Sequence, residues 1–306
     1  MPRAFPSIVL ALTMGAPAAS IAHDSPEHEV EALSRKMAVS GATAELLARR
    51  ATEWRALGKY DEAARDLKRA LVIKSNSVPL VLEYASVELE RGNVCDAETV
   101  IRHGLACAEE SEGAALRMVL SEVAERRGLY EFALQECEKA MGSAEPQLEW
   151  QLTRARLMCR LRKHTEAAAA LKLAYDKTPN VVLEIEWIEA MIDAGQYNEA
   201  LVRIEKYSNR GRWRSAWLIR QARAELGLNR TEAAEGNLRM ALVELEQRVN
   251  PQKIDASLLA DRAMARLLRG ERDAAAADMD RIRGPLRAQV PGSTMVRLER
   301  MFWDVR

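Results

Sequence analysis

The sequence predicts an all-α protein, an α-solenoid of about seven helix-turn-helix repeats with a capping helix at each end. The 306 residues are 48% hydrophobic but only 5% aromatic. This composition favours close helix packing, because strands prefer aromatic and β-branched residues. In addition, a turn pattern recurs about every 34 residues, with small side chains at fixed distances from each turn. Such a period is typical of helical repeat proteins.

Residues 1–22 have the pattern of a signal peptide. Arg3 supplies a positive charge, the apolar run Ile8–Leu12 follows, and small residues precede the expected cleavage after Ala22. We therefore expect a periplasmic or secreted protein in which 284 of the 306 residues remain. The alternative is an apolar tail on a cytosolic protein. No later segment is apolar for 18 residues, so we expect no stable membrane insertion.

Residues 23–43 are expected to contain the N-terminal capping helix. Ser25 can cap it, Pro26 suits its first position and Glu27 places an acid in its first turn. We expect this helix to end near Val39 and to cover the first repeat.

Residues 44–289 contain the recurring turn. Successive turn residues are 34, 36, 34, 33, 34 and 41 positions apart. Five of the seven are Gly, which adopts the left-handed conformation without penalty, and one is Asn, which tolerates it best after Gly. Each turn is thus expected to end one helix and begin the next. The turn residues are Gly58, Gly92, Gly128, Arg162, Gly195, Asn229 and Gly270.

Small residues accompany every turn. An alanine stands five positions after each turn residue, and a further group, mostly small, stands seven positions before it. These positions predict a buried seam that lets the two helices of a hairpin approach closely. The alanines are Ala63, Ala97, Ala133, Ala167, Ala200, Ala234 and Ala275, and the preceding residues are Ala51, Ala85, Ser121, Ala155, Ile188, Ala222 and Ala263.

This pattern resembles the tetratricopeptide repeat family, whose 34-residue unit is a helix-turn-helix. The resemblance covers about residues 44 to 289 and is best in the first repeat, where Trp54 and Tyr60 match positions that are often aromatic in the family. The closing proline of the family occurs only as Pro179, and two repeats lack the turn Gly. A related helical-hairpin repeat is the structural alternative. Repeats are expected to begin near Ala44, Val78, Ala114, Leu148, Val181, Ser215 and Ala256.

Residues 290–306 form the expected C-terminal cap. Pro291 and Gly292 interrupt the chain before a segment whose apolar residues, from Met295 to Val305, can cover the last repeat.

The charge is balanced, with 45 basic and 45 acidic residues, so the basic excess of a nucleic-acid-binding protein is missing. Residues 23–147 contain 16 basic and 23 acidic residues, whereas residues 148–306 contain 28 and 22. A solenoid with this polarity could orient a partner by its field.

The sequence lacks the GxSxG, GxGxxG and GxxxxGK[ST] motifs. We therefore expect a non-catalytic protein without a cofactor. Cys95 and Cys107 lie on one predicted helix, ~18 Å apart by helical rise, which is too far for a disulfide. A bridge from Cys137 to Cys107 or to Cys159 stays open.

His23 and His28 provide an alternative function. Cleavage after Ala22 would give His23 a free amine beside Asp24, and histidine nitrogens suit copper or zinc. The protein would then be a metal- or small-ligand-binding accessory protein. A further alternative is a non-catalytic accessory subunit of an exported enzyme complex. His164 replaces the tyrosine of other repeats, which favours a packing role.

The resemblance implies a concave groove, lined by the first helices of successive repeats, that holds a protein or peptide. Arg156 and Arg160 share one helix face, where a guanidinium pair would suit the carboxylate of an acidic partner. Alternatively, they pair with Glu189 or face water. The expected groove residues are Thr52, Arg55, Met118, Glu122, Glu125, Arg156, Arg160, Glu189 and Arg223.

A second candidate surface contains Arg210, Arg212, Trp213 and Arg214, shortly before Trp217. Arginine beside tryptophan is common in protein contacts. The alternative is a connecting loop whose tryptophans pack on neighbouring helices. Together, these observations predict an exported interaction scaffold with a protein or peptide partner, and they leave its oligomeric state open.

Overall fold

The computed structural model describes residues 25–207, 214–250, 252–282 and 284–304. The predicted leader, His23 and the surface residues Arg210, Arg212 and Trp213 lie outside these described residues. Within them the chain is helical, without a strand, and it divides into two units, residues 1–145 and 146–306. Each unit is an α-solenoid of consecutive helix hairpins, which confirms the predicted fold class.

The unit of residues 1–145 has one leading helix and three hairpins among its described residues. Helix α1 begins at Pro26, as predicted, although the Ser25 side chain does not cap it. The hairpins are α2–α3, α4–α5 and α6–α7. The bounds are α1 Pro26–Ser40, α2 Ala44–Ala56, α3 Tyr60–Ile73, α4 Val78–Arg91, α5 Val94–Cys107, α6 Glu110–Arg126 and α7 Tyr130–Ser143.

In the described part of residues 146–306 there are four hairpins, followed by a 3-10 segment, Gly284–Gln289, and a final helix. The hairpins are α8–α9, α10–α11, α12–α13 and α14–α15, and the final helix, α16, packs on α8 and α14. The bounds are α8 Leu148–Arg160, α9 His164–Lys177, α10 Val181–Asp193, α11 Tyr197–Ile204, α12 Arg214–Gly227, α13 Thr231–Arg248, α14 Ala256–Leu268, α15 Arg272–Ile282 and α16 Gly292–Asp304.

The seven predicted turn residues all have the left-handed conformation. The five glycines have φ between 71° and 84°, Arg162 has φ 57° and Asn229 has φ 58°. The residue after each turn residue donates its amide to the carbonyl five residues earlier. The amide of Lys163, for example, donates to the carbonyl of Met158 at 2.9 Å. This bond satisfies a carbonyl at the helix end. The turn prediction is confirmed, including Arg162.

The predicted seams are also confirmed. All seven alanines that follow the turns are fully buried, and so are most of the residues that precede them. Ion pairs join the two helices within hairpins, as between Arg50 and Asp66 at 2.7 Å and between Arg262 and Asp278 at 2.6 Å. The small side chains allow close backbone approach, and the ion pairs neutralise the carboxylates that this approach buries.

All four cysteines are free thiols, of which Cys137 and Cys159 are buried. Cys95 and Cys107 lie on α5, as expected. Among the described residues, no helix combines the length and the apolar character needed to cross a membrane.

Candidate functional site

In residues 1–145, side chains of the first helices α2, α4 and α6 meet along one surface. Arg55 on α2 donates to Glu90 on α4, with Nη2 2.5 Å from Oε1. Thr52 donates to Glu83 at 3.0 Å. On α6, Arg126 bonds Glu122 at 2.7 Å and also donates to the carbonyl of Leu89 on α4 at 2.8 Å. We call this surface the first-unit groove and define it by Thr52, Arg55, Glu83, Glu90, Glu122 and Arg126.

The first-unit groove is acidic. Three of its carboxylates, Glu83, Glu90 and Glu122, face two guanidiniums, those of Arg55 and Arg126. The hydrogen bond with Glu90 raises the pKa of Arg55, which therefore stays charged. A partner that approaches this groove meets an excess of negative charge.

In residues 146–306, three carboxylates lie along one face of α10. Glu186, Glu189 and Asp193 are three and four positions apart, a spacing that aligns side chains on a helix. Helix α12 provides two arginines to them. Arg223 contacts Glu189 and lies 2.8 Å from Asp193, while Arg220 lies 2.9 Å from Glu189. Glu189, Asp193 and Arg223 have nearly buried side chains.

Helix α16 adds two further arginines to the same carboxylates. The side chain of Arg297 is 4% exposed; its Nε donates to Asp193 at 3.0 Å and its Nη2 to Glu186 at 3.2 Å. Arg300 Nη2 donates to Asp193 at 2.8 Å. The hydroxyl of Ser293 donates to Glu186 at 2.6 Å. Through these bonds α16 is held against α10, the first helix of the fifth repeat.

The same helix contacts two other first helices, α8 and α14. On α8, Arg160 lies 3.9 Å from Glu299 of α16. Arg156, also on α8, lies beside Gly292: a Cβ added to this glycine would stand 3.2 Å from the Arg156 guanidinium. Apolar side chains of α16 pack into the core around α14. We call the surface of α8, α10 and α14 that holds α16 the second-unit groove. The buried apolar residues of α16 are Met295, Val296 and Leu298.

Burial and arginine contacts oppose each other in setting the acidity of these groups. Burial alone would raise the pKa of Glu189 and of Asp193, but Arg223 and Arg297 outweigh it and hold both pKa values below the usual range. Asp261 on α14 behaves differently. Burial raises its pKa to about 6, because Arg220 offsets only part of the desolvation.

No family model and no curated protein sequence matches this chain. Several solved structures are similar to it in fold. A tetratricopeptide repeat protein from Parabacteroides merdae is similar with a TM-score of 0.60 at 14% identity, over 85% of this chain and 97% of its own. YrrB, a tetratricopeptide repeat protein described as having an unusual peptide-binding site, has a TM-score of 0.51 at 12% identity, over 71% of this chain and 99% of its own.

The chain has the tetratricopeptide-repeat fold. At these identities the similarity establishes the fold, and the predicted groove residues can be located on it. All nine lie on first helices of the repeats. They fall into two sets, Thr52, Arg55, Met118, Glu122 and Glu125 in residues 1–145 and Arg156, Arg160, Glu189 and Arg223 in residues 146–306.

The second set faces its own chain. Glu189 and Arg223 are buried against each other, and Arg160 pairs with Glu299 of α16. The guanidinium pair predicted to hold an acidic partner therefore lies beside the C-terminal helix. On the second candidate surface, Arg214 is exposed. Trp217 is buried and stacked on Tyr207, with ring centroids 4.6 Å apart, as the packing alternative requires.

One group of potential metal ligands lies beside α16. Cys159, His164 and Asp193 offer ligand atoms within 4.8 Å of one another. Arg300 already supplies a cation to two of them, since it lies 3.2 Å from His164 Nε2 and 2.8 Å from Asp193. Burial also raises the pKa of Cys159 to about 11, which disfavours the thiolate that binds metals. The arrangement favours a guanidinium over a metal ion.

The other candidate metal site involves His23 and His28. Of these, His28 is exposed on α1.

Sequence reasoning missed Glu186, Asp193, Arg297 and Arg300. Two segments of the sequence contained a spacing that could have indicated them. The carboxylates of α10 repeat at one-face spacing, and Arg297 and Arg300 are three positions apart beside apolar residues. The missing information was which helix of the array the C-terminal segment would contact.

Proposed function

We propose that this protein is an exported, non-catalytic scaffold that binds a protein or peptide along the first helices of its repeats. One observation carries the proposal: the second-unit groove holds a helix, α16, through ion pairs at Glu186 and Asp193 and through buried apolar contacts. A groove that accepts one helix has the depth and the polar groups to recognise another.

The first-unit groove supports the same function. Thr52 is exposed, and Glu83 and Glu122 are partly exposed along it. A fixed row of carboxylates on successive repeats gives register and charge selectivity to a partner. YrrB, which is similar in fold, is described as having a peptide-binding site.

Export and the absence of catalysis complete the proposal. Export rests on the leader pattern of residues 1–22. A non-catalytic role is supported by the buried acids Glu189 and Asp193, whose charge is neutralised by arginines, and by the raised pKa of Cys159. A general acid or a thiolate nucleophile at one of these three positions would need the opposite tuning.

Site-specific photo-crosslinking in the native host tests this proposal. A crosslinking amino acid replaces Thr52 or Met118 on first helices, and a matched control replaces Val72 on the second helix α3, where the side chain is 83% exposed. We expect a defined protein adduct in the exported fraction from the groove positions only. Equal adducts from Val72, or none from either groove position, would contradict the scaffold function.

A further inference from the structure

Acidic and basic side chains of the repeats meet in the second-unit groove where α16 lies against α10. Helix α10 contributes three carboxylates, Glu186, Glu189 and Asp193, whereas α12 contributes the two guanidiniums of Arg220 and Arg223. Asp193 is 2% exposed at its side chain and Glu189 is 10% exposed. A buried carboxylate without a cation is strongly unfavourable. Within the repeats, Arg220 and Arg223 already pair with Glu189 and Asp193, and a further cation of this cluster comes from α16.

Helix α16 supplies that cation with a simple recognition pattern. Arg297 and Arg300, three positions apart, reach Glu186 and Asp193 from one side of the helix. Met295 and Leu298 are buried beside them. Because the side chains of α16 alone make these ion pairs and apolar contacts, another helix with two arginines at this spacing beside an apolar face could make the same contacts.

Helix α16 follows the 3-10 segment Gly284–Gln289 and begins at Gly292. It also contacts the last hairpin, where Arg272 of α15 donates to the carbonyl of Phe302 at 2.5 Å. Release of α16 would uncover carboxylates and apolar surface together. The uncovered surface is the complement of a basic amphipathic helix.

We propose that the second-unit groove is a binding site for a partner helix with two arginines three residues apart beside an apolar face, and that α16 occupies this site as an intramolecular competitor. The inference rests on the proposed function and names the class of partner. It replaces the acidic partner suggested by Arg156 and Arg160 with a basic one, because the arginines of α16 bond the carboxylates Glu186 and Asp193 of the groove.

Tethering sets the strength of this competition. A segment joined by a short linker acts at an effective concentration on the order of millimolar. A free helix with the same contacts therefore binds the intact chain weakly. It should bind much more tightly when α16 loses its arginines, because the competitor then lacks its ion pairs with Glu186 and Asp193.

Fluorescence anisotropy on the full chain tests the proposal. The probe is a labelled peptide of residues 290–306, and the protein is the double variant Arg297→Gln/Arg300→Gln. The matched control is Arg49→Gln/Arg65→Gln, which changes two exposed arginines elsewhere. We expect the double variant to bind the peptide at least tenfold more tightly than the wild type or the control, with an affinity that falls as salt rises. A peptide with both arginines changed to Glu should not bind. Equal binding by the wild type and the double variant, or binding of the Glu peptide, would overturn the proposal.

Circular dichroism establishes whether the double variant is folded. Where it is not, a protease site inserted after Arg287, which is exposed, allows the wild-type chain to be cut before α16. The cut chain should keep its helix content and exchange its bound α16 for the labelled peptide. Failure to exchange, or unfolding when α16 leaves, would show that α16 is only a structural cap.

Light scattering separates an external partner from a second copy of the chain. A dimer that forms in the wild type and disappears in Arg297→Gln/Arg300→Gln would mean that α16 is exchanged between copies, and it would overturn the proposal of a foreign partner.

Crosslinking at Thr52 and Met118 tests the scaffold function in the unit of residues 1–145. Adducts there combined with failure of the peptide assay would reject this inference and leave the scaffold function standing.

Discussion

Gly227, the last residue of α12, lies against the ring of Tyr197 on α11. An added Cβ would stand 2.2 Å from the ring, far inside contact distance. We expect Gly227→Ala to lower the free energy of unfolding by about 1–3 kcal/mol, because either the ring or the helix must shift. Chemical denaturation measures the change.

Gly236 on α13 provides the control for this prediction. No atom lies within 4 Å of its added Cβ. Gly236→Ala should therefore stabilise the protein by up to about 1 kcal/mol through helix propensity alone. Equal stability of Gly227→Ala and the wild type would contradict the packing argument.

Asp261 is expected to make stability depend on pH. Burial raises its pKa to about 6, above that of an unfolded chain, so the folded state binds this proton more tightly. The stabilisation from the neutral form is complete below about pH 4 and is lost as the pH rises through 6. We expect Asp261→Asn to stabilise the protein at pH 7.5 by up to about 3 kcal/mol and to have little effect at pH 4. The Tm of both proteins at the two pH values measures this difference, and a constant Tm difference would contradict it.

Residues that act through local geometry could be predicted from sequence. The left-handed turns and the buried alanines depend on neighbours within one hairpin, and a repeating pattern reports them. The partners of Glu186 and Asp193 could not be predicted. Arg297 is 104 residues from Asp193 in sequence, and no period relates the two.

At the scale of elements, the turn between α8 and α9 differs from its equivalents. Arg162 occupies the left-handed position that Gly takes in five other turns. That conformation costs roughly 1–2 kcal/mol for an ordinary L-residue. We expect Arg162→Gly to raise the free energy of unfolding by about 0.5–1 kcal/mol, because the greater freedom of unfolded Gly offsets part of the gain.

Asn229→Gly is the matched comparison, in the turn before α13. Asn tolerates the left-handed region well, so this change should have a smaller effect than Arg162→Gly. Thermal unfolding of both variants gives the comparison. A loss of stability in Arg162→Gly would mean that the arginine side chain contributes more than its backbone conformation costs.

The helices themselves were predictable because each carries its own signals. Every second helix of a repeat begins shortly after a turn residue and has a buried alanine at the expected place. For α16 the same reasoning indicated a helix and a capping role. Its position against α8, α10 and α14 depends on side chains distributed over three repeats, which no local pattern reports.

At the scale of the whole molecule, the leader pattern of residues 1–22 makes a direct prediction. Mass spectrometry of the exported protein should find a chain that begins at His23. Ala22→Arg places a large charged residue at the cleavage site and should leave the precursor uncut. A chain that begins at Met1 in the cytosolic fraction would contradict export.

The docking of α16 also affects the order in which residues 146–306 can fold. Bonds between neighbouring repeats join residues that are close in sequence, such as Glu189 and Arg223, which are 34 apart, whereas Glu186 and Arg297 are 111 apart. Repeats can therefore assemble one after another, but the acids of α10 can bond Arg297 and Arg300 only after α16 has been synthesised. The long loop between Glu186 and Arg297 adds little to the free-energy cost of docking α16, because loop entropy grows slowly with length. A contact between residues so far apart in sequence nevertheless slows the docking step. During that interval the surface that α16 covers stays open, so the bonds of Arg297 with Glu186 and Asp193 are among the last in residues 146–306 to form.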